Sequence, residues 1–136
     1  MLSPTVDTIR LFVHVLAASV WVGGQIVLAG LVPSLRRTHP DATKVAAAAF
    51  ARVAWPAFIV VVVTGVWNLA DIDVANTTTT YQFTLFVKIG LAMLSGAAAA
   101  VHQVGRSTVA LAVGGAIGLL AGLGAMFCGY LLTTGV

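Results

Sequence analysis

Apolar residues in this chain gather into four long runs separated by short polar stretches. Runs long enough to cross a hydrocarbon layer of ~30 Å, about 20 residues at ~1.5 Å rise each, cover roughly residues 8–33, 53–70, 82–104 and 108–132. Within lipid every backbone N–H and C=O must be satisfied internally, and the runs lack the alternating polar and apolar residues of barrel strands, so each reads as a helix. The expected fold is all-α: a four-transmembrane-helix bundle, forming a single integral membrane domain over 1–136 with no extramembrane domain. The first run has no short charged leader before it and no small-residue cleavage site behind it, and so reads as a retained helix rather than a signal peptide.

The residues between the runs sharpen these boundaries. Pro33 and the polar stretch RRTHPD close the first helix, and Asp41 is placed to cap a second, which spans about 42–70, begins amphipathic and enters the membrane near Arg52. Pro56 should bend that helix. The stretch NTTTTYQ reads as an extended, mobile outer loop. On the fourth helix Gly114, Gly118 and Gly122 recur four apart on one face, a spacing that lets another helix approach closely. That face serves either packing inside the bundle or a homodimer.

Composition excludes a soluble domain: 60% of the residues are hydrophobic and 8% charged, and mean hydropathy is +1.03. A net charge of +3 would suit a nucleic-acid partner, but the charges sort by loop instead. Arg36, Arg37, Lys44 and Arg52 lie in or beside the first connection and Arg106 in the third, whereas the second holds Asp71 and Asp73 and no cation. By the positive-inside rule the two basic connections are cytoplasmic and both termini face outward, as in a multi-pass protein of the cell's inner membrane. Arg10 departs from the rule, with Asp7 three positions earlier to offset it. A sole cysteine, Cys128, excludes an intrachain disulfide and any CxxC metal site.

This topology assigns a depth to each polar residue. His14 on the first helix lies about 9 Å below the outer edge at ~1.5 Å per residue, and Lys88 on the third lies at about the same depth. At ~100° per residue, Asp7, Arg10, His14, Trp21 and Gln25 form one stripe, and Tyr81, Thr84, Lys88, Ser95 and His102 form another. Turning such stripes to lipid would cost ~2.5–3.5 kcal/mol for a central charge, so they should face each other or a shared cavity, with His14 and Lys88 as neighbours. Other roles remain open: Lys88 can snorkel to the outer surface, His14 can be hydrogen-bonding glue, and Trp21, Trp55 and Trp67 can be packing or interface residues. His102 belongs near the inner edge.

The segment LFVHVLAASVWVGGQIVLAG resembles the first helix of the copper resistance protein D (CopD-like) membrane domain, with its histidine, a tryptophan seven residues on, and a Gly-Gly pair. FARVAWPAFIVVVVTGVWNL and YQFTLFVKIGLAMLSGAA are similar to that domain's second and third helices, where a threonine-glycine ends one helix and a lysine sits early in the next. The likeness spans about residues 9–104. The same arrangement also resembles the HemJ-type protoporphyrinogen oxidases, small haem-associated four-helix membrane proteins in which a first-helix histidine and a third-helix lysine matter; here these are His14 and Lys88.

These resemblances imply metal or porphyrin chemistry of more than one kind. Haem b asks for one axial imidazole, an apolar slot between helices and cations for its propionates. His14 would ligate iron, Trp21 and the glycines of VGG would form the slot, and Arg10 or Lys88 would meet propionates. If the activity is porphyrinogen oxidation, Lys88 would be the catalytic cation that holds a carboxylate or moves protons. Copper handling prefers soft sulfur ligands with imidazole, and Met126 and Cys128 join His14 as candidates. A third class is an accessory subunit without a cofactor, held to a larger membrane complex through its glycine face.

Overall fold

A computed structural model describes residues 3–134. Four helices account for nearly all of them: α1 (Val6–Thr38), α2 (Pro40–Ala70), α3 (Thr79–Val104) and α4 (Thr108–Thr134), with a short 3-10 turn at Val74–Asn76. All four are long and apolar enough to cross a membrane. The chain divides between Ile72 and Asp73 into two compact units, each a helical hairpin, α1 with α2 and α3 with α4.

The helix ends differ from the sequence expectations in instructive ways. Pro33 does not close α1, which continues to Thr38. Proline removes one N–H and crowds the carbonyl four residues earlier, but Pro33 and Ala29 are both exposed, so the carbonyl that loses its partner is not sealed inside the hairpin. Asp41 is not the cap of α2: His39 holds that position, Pro40 takes the first helical turn, where its missing N–H costs nothing, and Asp41 lies in that same turn near the positive end of the helix dipole. The NTTTTYQ stretch is an ordered helix start rather than an extended loop. Thr78 accepts a hydrogen bond from the Tyr81 amide at 3.2 Å, α3 begins at Thr79, and the Gln82 side chain reaches back to the carbonyls of Val74 and Thr77.

In the first hairpin, α1 and α2 run antiparallel in a register set by side chains. Arg10 meets Asp71 and Trp67, His14 meets Thr64, Trp21 meets Trp55 and Phe58, and the Phe50 ring lies so close over Gly24 that any Cβ there would collide with it. In the second hairpin the backbones themselves come close. A Cβ on Gly114 would sit 3.0 Å from the Ala98 carbonyl oxygen and 3.1 Å from the His102 nitrogen. The Ser95 hydroxyl, almost fully buried, donates to the Gly118 carbonyl at 2.7 Å. The turn is closed by the His102 ring nitrogen Nδ1 on the Leu111 carbonyl, by Ser107, which accepts from the Ala110 amide, and by Gly105, where a Cβ would lie 2.8 Å from the Val101 oxygen. Gly114, Gly118 and Gly122 are all buried, and at the first two it is α3 that closes on the backbone.

Candidate functional site

His14 and Thr64 form a hydrogen-bonded pair of buried polar side chains deep in apolar helices. His14 Nδ1 lies 2.8 Å from the Thr64 hydroxyl oxygen, which lies 2.6 Å from the Val60 carbonyl oxygen and 3.3 Å from that of Val61. A threonine hydroxyl has one proton, and a carbonyl can only accept. The proton therefore goes to Val60, the oxygen accepts from His14, and Nδ1 carries the imidazole hydrogen. In the neutral ring this places the lone pair on Nε2, the form in which a histidine with an oriented Nδ1–H ligates a metal.

Around this pair the first hairpin builds a layered interior. Gly65 lies beside the ring, where a Cβ would make ordinary contact with His14 Cε1 at 3.4 Å. Two turns further along α1, about 10 Å at ~1.5 Å per residue, Trp21 packs against Phe58 at 4.5 Å and edge-on to Trp55 at 5.5 Å between ring centroids. One turn the other way, the Arg10 guanidinium contacts Asp71, pairs with Asp7 at 3.1 Å and lies 5.4 Å over the Trp67 ring. Its side chain is 9% exposed. A cleft of about 180 Å³ lies beside it, lined by Val6, Ile9, Arg10, Val13, Thr64 and Trp67.

Of the first stripe, His14 and Trp21 meet α2, while the expected Arg10–Asp7 pairing is present within α1 and Asp71, just after α2, joins it. Gln25 instead turns back to the Trp21 carbonyl on its own helix. The second stripe is directed largely at α4. Ser95 and His102 bond to α4 carbonyls, and the Lys88 ammonium lies 3.4 Å from where a Gly129 Cβ would be. Thr84 bonds within α3. Lys88 has no carboxylate within ion-pair distance among the described residues. Trp67 is half exposed, and the threonine-glycine pair at Thr64–Gly65 lies inside α2 rather than at its end.

The copper candidates do not assemble in the same way. Met126 and Cys128 stand two residues apart, hence about 200° apart around the helix; Met126 is 39% exposed while Cys128 is buried. No group of three or more His, Cys, Asp or Glu side chains suited to a metal ion occurs among the described residues. For haem the donor chemistry fits at one point, the Nε2 of an oriented imidazole. The cleft of about 180 Å³ in the first hairpin is lined by Arg10, Thr64 and Trp67 and not by His14, so the haem reading rests on the imidazole and not on that cleft.

Sequence reasoning missed Thr64, Gly65 and Asp71. Thr64 is the one hydroxyl in the run AFIVVVVTGVW, and that was the available signal. Asp71 lies in the connection just after α2, as read, but its contact with Arg10 was not foreseen. No family model matches the chain, and no curated protein or solved structure matches it either.

Proposed function

We propose that this is a small multi-pass protein of the inner membrane, with both termini outward, that binds haem b through His14 Nε2. The observation that carries the reading is the relay from His14 Nδ1 through the Thr64 hydroxyl to the Val60 carbonyl. It holds the imidazole in the ligating tautomer, and such orienting partners are typical of metal-bound histidines. Bound haem supplies one-electron or porphyrin redox chemistry. The chain's own residues do the rest: Thr64 orients the ligand, and Trp21 with Phe58 and Trp55 walls off the interior.

The roles of the two cations differ. Arg10 is held by Asp7 and Asp71, so a propionate would have to displace a carboxylate already in place. Lys88, without a carboxylate partner among the described residues, is the better cation for an acidic group or a proton, and is the residue we assign to catalysis if the protein acts on porphyrinogens. Copper handling has less support, because Met126 and Cys128 point to different sides of α4. A homodimer or accessory role through the glycine face also has less, because α3 closes on that face at Gly114 and Gly118.

The test is the visible absorption spectrum and metal content of detergent-purified protein. A Soret band in the wild type that is lost in His14→Ala supports the haem reading. Copper without a Soret band would replace it with metal handling, and a colourless, metal-free protein that copurifies with larger partners would replace it with the accessory role. Lys88→Ala is expected to lower haem retention or turnover, with Lys88→Arg restoring only part, since a guanidinium keeps its charge and does not give up a proton. Unchanged behaviour of all Lys88 variants would leave the lysine as a snorkelling residue.

A further inference from the structure

The first hairpin is longer than a membrane is thick. Its helices have 33 and 31 residues, or ~50 and ~46 Å at ~1.5 Å per residue, against a hydrocarbon core of ~30 Å. At one end the Arg10, Asp7 and Asp71 cluster marks a polar boundary. Counting ~30 Å, about 20 residues, inward from Arg10 on α1 and from Asp71 on α2 reaches Gly30 and Ala51. The residues from there to the turn at His39 extend roughly 13–18 Å past the hydrocarbon.

This projecting tip is basic. Arg36, Arg37 and Lys44 are exposed and lie within ~8 Å of the turn along the helix axes, so the three cations sit about level with one another, ~9–11 Å beyond the hydrocarbon edge. A headgroup layer is ~5–8 Å thick per leaflet, within reach of these long side chains. Arg52 stands at the edge itself. Between Leu31 and Arg52 the only acidic residue is Asp41, and among the described residues none of the four cations has a carboxylate at ion-pair distance. Leu31 and Val45, 45% and 69% exposed, place apolar groups beside the charges. A surface that is cationic, unpaired, level with phosphates and edged by apolar side chains is complementary to anionic lipid.

We infer that the tip of the first hairpin is a docking surface for anionic phospholipid headgroups, held by Arg36, Arg37 and Lys44 with Arg52 at the acyl boundary. The inference stands apart from the haem reading and needs only the membrane span. Acidic lipids gain about fivefold in affinity, ~1 kcal/mol, for each basic side chain near the surface.

The test is native mass spectrometry of the full-length protein in detergent, titrated with phosphatidylglycerol and with phosphatidylcholine. The wild type is expected to retain phosphatidylglycerol roughly a hundredfold better, from three basic side chains at about fivefold each. Arg36→Gln alone should cut that preference about fivefold, and the combined Arg36→Gln, Arg37→Gln and Lys44→Gln variant should abolish it. Arg36→Lys with Arg37→Lys should keep most of it, and Arg106→Gln, in the other hairpin, should leave it unchanged. Equal retention of the two lipids by the wild type, a preference that survives the triple variant, or displacement of bound lipid by equimolar inorganic phosphate or by a polyglutamate peptide would each overturn the inference.

Discussion

In the first hairpin α1 and α2 meet through long side chains: an arginine between two aspartates and over a tryptophan, a histidine on a threonine, three aromatic rings, and a phenylalanine laid on a glycine. In the second, α3 and α4 meet backbone to backbone at Gly114, with Ser95 bonded to the Gly118 carbonyl. Lipid tails are as apolar as these helices, so hydrophobicity does not press either pair together and specific contact has to. The small-residue hairpin gains many van der Waals contacts and spends its polar groups closing them. The large-residue hairpin keeps its helices apart with groups that have chemistry of their own, and a ligand site can be built only where such groups line the interior.

The contrast predicts the harshest single substitution in the second hairpin. Gly114→Leu should destabilise the protein by about 1–3 kcal/mol or more, because backbone atoms at 3.0–3.2 Å cannot move aside as a side chain can. Gly90→Leu, where a Cβ meets nothing within 4 Å, should be tolerated. Thermal unfolding in detergent, followed by fluorescence, measures both, and similar midpoints would remove the close backbone approach claimed for the second hairpin.

Next in size is Gly24→Ala, whose Cβ would collide with the edge of the Phe50 ring, and because the obstacle is a side chain, Phe50→Leu should recover the loss. Gly23→Ala should behave as wild type, having open space. A failure of Phe50→Leu to rescue would show that α1 and α2 are backbone-limited there as well.

Thr64→Val removes the acceptor of a buried N–H and should cost ~1–2 kcal/mol of stability. If His14 holds a metal, the same change should lower its affinity ~10–100-fold by releasing the imidazole orientation. Thr64→Ser keeps the hydroxyl and should keep both properties. Loss of stability without loss of cofactor would reduce the pair to packing.

The smallest effect is expected at the rim. Asp71→Asn leaves Arg10 with Asp7 and Trp67, and should cost no more than ~1 kcal/mol, less at high salt, since Asp71 is half exposed. Sidedness can be checked in the same variants' background: single cysteines at Asp73 and at Arg36 should label from outside and inside respectively. Opposite labelling would invert the outward-termini proposal while leaving both hairpins as they are.

Much of this was legible in the chain. Length and continuity of apolar runs determine helices that can cross a membrane, because no other backbone arrangement in those runs satisfies its own hydrogen bonds in lipid. The four-residue glycine spacing on α4 pointed to a closely packed face, and α3 does close on it at Gly114 and Gly118; the α3 stripe was expected to turn toward that of α1, whereas its Ser95 and His102 reach α4 carbonyls. What only the tertiary structure decided is who faces whom. His14 shares its stripe with residues far along α1, but it bonds Thr64, fifty positions away, and Asp71, in the connection just after α2, meets Arg10 across the hairpin. Periodicity orders residues on one helix; the register between two helices depends on which rings and backbones fit together, and that is settled only when Phe50 lies on Gly24 and Trp21 on Phe58.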